Sequence, residues 1–410
     1  MLFYEVKKIF SRVVNKVVLV LLAIVLLFAS VMAIRENENY WVNETGESDY
    51  GIHAVRKLAK AQHEWAGTLT EQRIAEVIQE NARIRNTPEA QSEDIQQQNI
   101  AYSWRQGIEG IRDVINSSFC AFQEYDYYKA DTLTAADAAD FYSNRTAHLE
   151  EWLSNEENTD RYSDAEKQFL LEQYQKMEIP LKYDFVRNWD SFFQWSVTIQ
   201  MFLAMLLGFL VSGIFSGEAQ TKADAVFYAA QYGRSKGVRA KVLAGFCIVT
   251  VLYWVVFLLY TLFVLGCTGF IGADCMIQIM HWKSFYNITI GQEYLLLAVG
   301  GYIGCLFLSA LTMLVSAKTN STVLAVLVPF VAIFIPNFIY NQSTSLLADK
   351  IVGLLPDQLL QLNSVLCRFS LYSIGGTVVG SISILFVLYT VLTLVLQPVL
   401  YTVFRKKEVR

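Results

Sequence analysis

The chain has 410 residues, of which 54% are hydrophobic and only 17% are charged, and its mean hydropathy is +0.32. Because soluble proteins usually carry about 25% charged residues, this composition excludes an ordinary soluble enzyme. The charge is also unevenly distributed. Residues 35–191 hold 16 Lys/Arg and 30 Asp/Glu, a net charge of −14, whereas the rest of the chain holds 17 Lys/Arg and 8 Asp/Glu. The pattern indicates a polytopic membrane protein with one large hydrophilic insertion.

Six stretches without charged residues are long enough, or nearly so, to cross a bilayer, because about 20 apolar residues in a helix span its hydrocarbon core. The predicted spans are 17–34, 192–215, 242–265, 294–316, 322–340 and 374–404. The first is also compatible with a cleaved signal peptide, although its basic leader of 16 residues is long for that role. We therefore expect an all-α polytopic membrane fold, with six transmembrane helices and residues 35–191 as a helical extracellular domain between the first two.

Basic residues predict the orientation of these spans. Fourteen Lys and Arg residues flank the spans on one side, against Lys283, Lys350 and Arg368 on the other. By the positive-inside rule, both termini are predicted to be cytoplasmic, in a multi-pass protein of the plasma membrane. Residues 1–16 fit an amphipathic interfacial helix, with a plain basic flank as the alternative. Residues 405–410 form a basic cytoplasmic tail.

The insertion is long enough to form a domain and carries helix-start patterns at 68–71, 134–137 and 163–166. It has no catalytic or metal-binding motif. Cys267 and Cys275 share one short loop farther along the chain, which makes a disulfide between them a candidate, with two free thiols as the alternative.

The energy source is predicted to lie outside this chain. The absence of charged residues from the spans argues against an ion-coupled transporter, because such residues usually form ion paths. The chain also lacks a phosphate-binding loop of the Gly-x-x-x-x-Gly-Lys-Ser/Thr type. We therefore expect no cofactor and no catalytic residue here, and any nucleotide to be bound by a partner.

The loop at 216–241 carries the sharpest candidate residues. It is predicted to form an Ala-rich surface helix of about three turns, with glycines at both ends. Such a helix would suit a docking site for a cytosolic protein, with an ordinary basic loop as the alternative. The candidate docking residues, in chain order, are Glu218, Tyr232, Gly233, Arg234 and Lys241.

These features resemble the permease subunits of type-2 ABC transporters, whose fold is shared with ABCG-type exporters. The resemblance rests on Phe215-x-x-Glu218, Tyr232-Gly233-Arg234, Ala240-Lys241, the interfacial leader and the six-span plan. It implies that 216–241 is the coupling helix, seated in a cytosolic ABC ATPase that binds ATP and Mg. It also implies alternating access and a second permease copy, in a homodimer or heterodimer. The large insertion departs from the minimal family plan and leaves the substrate open.

The segment 341–373 is apolar but interrupted by charges, so it is predicted to form an interfacial or re-entrant hairpin bent near Pro356. The resemblance implies an extracellular gate there, including Leu354, Leu355 and Pro356, with an amphipathic cap as the alternative.

The predicted function is therefore that of an ABC exporter permease. Its uncharged spans suggest an amphipathic or apolar substrate, such as a peptide or a lipid-like molecule. The expected partners are ABC ATPase subunits, a second permease copy and membrane lipid, without nucleic acid. The alternative is a non-transporting sensor or immunity protein that binds a ligand through its extracellular domain. An intramembrane enzyme would need a catalytic pair within the spans, and none is visible.

Overall fold

The computed structural model describes residues 1–35, 39–159, 161–340 and 346–406. The beginning of the predicted gate segment, 341–345, and the tail residues 407–410 lie outside the described residues. The chain begins with helix α1, Leu2–Ser11, followed by α2, Val13–Ile34. Arg12 between them has an extended backbone (φ −71°, ψ 129°), so the amphipathic leader is a separate helix. The first span begins four residues earlier than predicted.

The described residues between α2 and residue 187, hereafter the insertion domain, are mostly helical as expected. The helices are α3 Ile52–His63, α4 Glu71–Arg85, α5 Ile95–Arg105, α6 Glu109–Phe119, α7 Ser143–Ser154, α8 Glu156–Thr159 and α9 Asp164–Gln175. Four short strands, which the sequence did not suggest, form two antiparallel pairs: β1 Tyr40–Val42 with β2 Ser48–Tyr50, and β3 Gly67–Thr68 with β4 Lys182–Tyr183.

Two of the three predicted helix starts are capping boxes in the structure. The Ser163–Glu166 box begins α9, and the Thr134–Asp137 box begins a short 3₁₀ helix. The third predicted start was two residues too early, because Thr70 rather than Thr68 caps α4. Thr68 instead belongs to β3, where its backbone pairs with Lys182.

The next helices form most of the membrane region. They are α10 Arg187–Gln220, α11 Asp224–Ala229, α12 Val238–Thr268, α13 Ile290–Thr319 and α14 Thr322–Tyr340. Helix α10 is central and packs against α2, α12, α13 and α14. Helix α14 contains Pro329 and Pro336 and continues through both.

The final part of the chain consists of α15 Leu346–Val352, a 3₁₀ turn Pro356–Leu360, α16 Leu362–Leu366, the hairpin β5 Leu371–Ile374 with β6 Thr377–Gly380, and α17 Ser381–Arg405. The last span therefore starts at Ser381 and not at residue 374. The reason is a two-residue turn at Gly375 and Gly376, which both have positive φ (58° and 84°). Such glycine pairs favour tight hairpins, and this one diverts an apolar stretch into two strands.

In the described part of the chain, five helices are long and apolar enough to cross a membrane: α2, α10, α12 with the turn before it, α13 and α17. The fifth predicted span, 322–340, coincides with α14, a helix of 19 residues. The all-α polytopic fold predicted from the sequence is thus confirmed.

The hydrophobic core runs without interruption from the membrane helices into the insertion domain. A smaller core joins the far side of this domain to the loops that follow α12 and α16. There Trp152 and Tyr174 pack with Phe285 and Leu371. Burial of such large side chains contributes about 1.5–3 kcal/mol each, so the insertion domain is anchored on the membrane region.

Candidate functional site

Four charged side chains from three helices meet where α1, α10 and α12 come together. Glu5 and Lys8 lie on α1, Glu218 in the last turn of α10 and Lys241 in the first turn of α12. We refer to these four residues as the ionic cluster. Helix α1 reaches this position because its apolar face, including the buried Ile9, packs against the main core.

Lys241 is the centre of the ionic cluster, and its side chain is completely buried. Its Nζ atom donates to Oε1 of Glu218 at 2.6 Å, to Oε2 of Glu5 at 3.1 Å and to the carbonyl oxygen of Ile214 at 3.1 Å. An ammonium group has three N–H donors, so the three contacts satisfy it completely.

Glu218 joins the two lysines of the cluster. Its Oε1 also accepts a hydrogen bond from Nζ of Lys8 at 2.6 Å. The Glu218 side chain is only 7% exposed, whereas that of Lys8 is 47% exposed. The cluster has two acids and two bases, so it is neutral as a whole. Because buried charges depend on their partners, the loss of one member would leave another uncompensated.

Two glycines of α10 make room for a further basic side chain. A Cβ atom at Gly213 or Gly217 would collide with the guanidinium group of Arg12. Helix α10 continues through Gly217 to Gln220, so this glycine is not the helix end that the sequence suggested. Its role is to let Arg12 lie against the helix surface, next to the ionic cluster.

The segment between α10 and α12 is less helical than predicted. Helix α11 has only six residues, not three turns, and none of them is buried. After it, Gly233–Gly237 form a π-helical turn that leads directly into α12. A Cβ atom at Gly233 would overlap the carbonyl oxygen of Phe227, so only glycine fits there.

Arg234 and Tyr232 differ in their surroundings. Nη1 of Arg234 donates to the carbonyl oxygen of Arg405 at 3.1 Å, and its guanidinium lies 4.7 Å from the ring centre of Tyr228. Arg234 therefore connects the π-helical turn to the end of α17. Tyr232 is 44% exposed, with Nζ of Lys236 4.5 Å from its ring centre.

A hollow of about 320 Å³ opens between α1 and this segment. Its largest lining side chains are those of Met1, Tyr4, Phe227 and Tyr232. The exposed face of α11 lies beside it, with Val226 75% exposed. The predicted docking residues thus separate into two groups. Glu218 and Lys241 are buried within the chain, whereas Tyr232 and Arg234 lie at the surface.

The predicted gate residues lie near the N-terminal half of α13. Leu354 and Leu355 are half-buried, and Pro356 begins the 3₁₀ turn. The hydroxyl group of Tyr389 donates to the carbonyl oxygen of Leu354 at 2.8 Å, which ties this turn to α17. Gly304 of α13 lets Leu359 and Leu360 approach closely.

The insertion domain is bonded to the same region. Nζ of Lys350 lies 3.0 Å from Oε1 of Glu166, and the hydroxyl group of Tyr162 donates to the carbonyl oxygen of Phe369 at 3.3 Å. Burial raises the pKa of Glu166, but the hydrogen bonds from Ser163 and Lys350 outweigh this effect, so that its pKa lies below the ordinary value.

The structure does not contain the candidate disulfide. Cys267, near the end of α12, and the buried Cys275 are both free thiols. Burial raises the pKa of the Cys275 thiol to about 12, so this side chain is an unreactive core residue. In the described part of the chain, no group of three or more His, Cys, Asp and Glu side chains could hold a metal ion.

Sequence reasoning missed the contribution of α1. Glu5 and Lys8 appeared to be parts of a basic leader, yet both reach residues more than 200 positions away. The available signal was weak: Glu5 is the only acidic residue among residues 1–16, and Lys241 directly precedes an apolar span.

The helices define the chain as a multi-pass α-helical membrane protein, and ion pairs fasten its amphipathic N-terminal helix α1 to the membrane helices α10 and α12. A family model described as ABC-2 family transporter protein matches residues 7–409, so the chain belongs to this family. Its members are membrane subunits of ABC transporters, associate with ABC ATPase subunits in general and are not themselves catalytic. A search of curated proteins and a search of solved structures returned no match to this chain.

Proposed function

We propose that this protein is the permease subunit of an ABC exporter, coupled to a separate ATPase through the surface around α11 and the π-helical turn. The observation that carries the proposal is the ionic cluster. It fastens α1 to the ends of α10 and α12. A displacement of the surface around α11 by the ATPase would therefore move both membrane helices together. Family membership supports the general role, and this geometry supports the place of coupling.

The charge distribution supports a cytoplasmic position for this surface. The basic flanks of α1, α12 and α17 lie on the side of the ionic cluster, whereas the acidic insertion domain lies beyond the opposite span ends. In this orientation, the protein lies in the plasma membrane with both termini in the cytoplasm. The insertion domain and the predicted gate then face outward.

The docking surface would combine two features. Helix α11 presents exposed apolar and polar side chains, and the neighbouring hollow of about 320 Å³ is large enough to receive side chains of the ATPase. Tyr232 and Arg234 lie at its edge. We propose that these two residues contact the ATPase, while Glu218, Gly233 and Lys241 hold the surface in position.

The transport path would form between two copies of the chain. The spans carry apolar side chains outward, with Val251 and Leu262 of α12 among the most exposed. Some of these side chains would contact lipid, and others would line a cavity shared with a second permease. We propose an amphipathic or apolar substrate, such as a peptide or lipid-like molecule, and alternating access driven by ATP hydrolysis in the partner.

The test is co-expression with the ABC ATPase that is encoded beside this chain. The two should copurify in detergent and, after reconstitution, couple ATP hydrolysis to substrate movement. Arg234→Ala should reduce coupled transport, whereas Arg239→Ala, a basic residue on the next turn, should leave it unchanged. If the chain purifies alone and never binds an ATPase, the transporter assignment fails and a ligand-binding membrane sensor replaces it.

A further inference from the structure

Arg12 lies in the bend between α1 and α2, residues 9–16, hereafter the N-terminal bend, and it lacks a counter-charge. It is half-buried, and its guanidinium lies so close to Gly213 and Gly217 of α10 that a Cβ atom at either glycine would collide with it. Among the described residues, none forms an ion pair or a hydrogen bond with this side chain. Its N–H donors are therefore not committed to partners within the described chain.

The N-terminal bend is fixed by contacts on both sides, so the fold sets the position of Arg12. Nδ2 of the buried Asn15 donates to the carbonyl oxygen of Ile9 at 2.8 Å, which holds the first turn of α2 against the end of α1. One turn earlier on α1, Lys8 binds Glu218 at the end of α10. The guanidinium is thus held where α1, α2 and α10 meet, beside the ionic cluster.

The charge around Arg12 is positive. The ionic cluster is neutral, and Lys7 and Lys16 have no acidic partner in the part of the chain that the structure describes. Lys16 is exposed, and its backbone N–H donates to the carbonyl oxygen of Arg12 at 3.2 Å, so one helical turn separates the two basic residues. The N-terminal bend therefore carries an excess of positive charge at the start of a membrane-spanning helix, a position that favours acidic lipid headgroups.

The surface that continues from the bend along α2 is apolar. Val13, Val17 and Val20 are each more than half exposed, and so are Ile24 and Leu27 farther along the same helix. Because these side chains follow a membrane-spanning helix, acyl chains cover them, and a cytosolic protein cannot reach most of this face. A basic bend next to an apolar helix face is complementary to a ligand that combines an acidic headgroup with hydrocarbon chains.

We propose that the N-terminal bend binds an anionic phospholipid, with the phosphate held by Arg12 and Lys16 and the acyl chains along the exposed face of α2. A guanidinium group binds two phosphate oxygens at once, and the lysine adds a second positive charge. The bound lipid would join α1 and α2 to α10 next to the ionic cluster, and so stabilise this part of the fold. The inference rests on the membrane fold and not on the proposed transport function, so a failure to bind an ATPase would leave it unaffected.

The test is thermal unfolding of the purified full-length protein in a neutral detergent at constant ionic strength. The probes are phosphatidylglycerol and phosphatidylcholine with the same oleoyl chains, and glycerol phosphate without chains. We expect a saturable rise in melting temperature with phosphatidylglycerol that neither other probe produces. An equal rise with phosphatidylcholine would mean that the chains alone act, and an equal rise with glycerol phosphate would assign a site for a free anion. Either result, or no rise with phosphatidylglycerol, would overturn the proposal.

Three variants assign the effect to the N-terminal bend. Arg12→Gln should weaken the apparent affinity for phosphatidylglycerol at least about tenfold, as expected for the loss of a charged pair of hydrogen bonds. Its melting temperature without lipid should stay unchanged, because Arg12 has no hydrogen bond or ion pair to lose among the described residues. Lys16→Gln, at an exposed side chain, should weaken the affinity about fivefold, which corresponds to roughly 1 kcal/mol for one basic residue near an acidic surface.

Lys406→Gln is the matched control. It removes the same charge from an exposed position at the end of α17 and should retain the full lipid response. If Lys406→Gln weakens the affinity as much as Arg12→Gln and Lys16→Gln do, the lipid responds to the general charge of the protein, and the proposed site is wrong.

Discussion

The Nζ atom of Lys241 lies 2.6 Å from Oε1 of Glu218, although the two residues belong to different membrane helices. Between them the chain leaves α10, forms α11 and the π-helical turn, and returns as α12. The ion pair therefore closes the base of the segment that is proposed to bind the ATPase. Lys8 and Glu5 add α1 to the same cluster, so three helices share one electrostatic anchor.

The first prediction concerns the loss of one member of this pair. Glu218→Ala leaves the buried ammonium of Lys241 with a single carboxylate, that of Glu5. We expect a loss of about 3–5 kcal/mol in unfolding free energy, seen as a lower melting temperature and a lower yield. Lys8→Ala should cost less than about 1 kcal/mol, because that side chain is half-exposed.

The double variant Glu218→Met with Lys241→Met tests whether the instability of Glu218→Ala comes from the unpaired charge of Lys241. Apolar side chains of similar size often replace a buried ion pair without loss, so we expect the melting temperature to recover most of the deficit of Glu218→Ala. A double variant as unstable as the single one would show that the pair is not the source of the effect.

The second prediction concerns Gly233. A Cβ atom there would overlap the carbonyl oxygen of Phe227, so Gly233→Ala should displace α11 and destabilise the segment by about 1–3 kcal/mol. Because α11 belongs to the proposed docking surface, ATPase binding should weaken in a copurification assay. Gly266→Ala is the matched control in α12, where the nearest side-chain atom is 3.6 Å from the new Cβ. Equal effects of both variants would contradict the steric explanation.

The third prediction concerns pH. Burial, together with the nearby Glu109, raises the pKa of Asp113 in the insertion domain to about 6. The folded state therefore holds this proton more tightly than the unfolded state does. The resulting stabilisation is complete below about pH 4, the ordinary range of an Asp carboxyl, and is lost as the pH rises through 6.

Asp113→Asn should remove this contribution. Between pH 5 and pH 7.5, the melting temperature of the wild type should fall more than that of the variant. Asparagine keeps an oxygen that can accept the hydrogen bond from Tyr125, so the comparison isolates the proton. If the melting temperatures of the two proteins changed in parallel with pH, the pKa of Asp113 would not be raised.

The fourth prediction concerns the joint between the insertion domain and the predicted gate. Lys350→Gln removes the ion pair with Glu166 but leaves the Ser163–Glu166 capping box intact. We expect a loss of about 1–2 kcal/mol and faster proteolysis of the segment 346–380, because a hydrogen bond to a buried charged group is lost. Lys57→Gln, which breaks an exposed pair with Asp49, should change neither measurement.

The glycine pair Gly375–Gly376 shows how a local turn signal can be overruled by hydropathy. Hydropathy alone extended the last span over residues 374–380 of the hairpin, because these residues are uncharged and continue into the apolar helix that follows. The turn signal was present in the sequence, but the long apolar run after it dominated the prediction. The predicted span 322–340, in contrast, coincides with α14, and the two prolines inside this helix do not interrupt it.

The sequence by itself determined the membrane class, the approximate positions of the spans and the helical nature of the insertion domain. These features follow from the length and hydropathy of contiguous segments and from local capping patterns, which need no knowledge of distant contacts. It also marked Glu218, Gly233, Arg234 and Lys241 as residues of interest. Only the tertiary structure decided their surroundings: Glu218 and Lys241 pair in the interior, Arg234 binds the end of α17, and Cys267 and Cys275 remain apart. The physical reason is that a buried charge or thiol depends on the groups that folding places around it, and those groups lie up to 236 positions away in the chain.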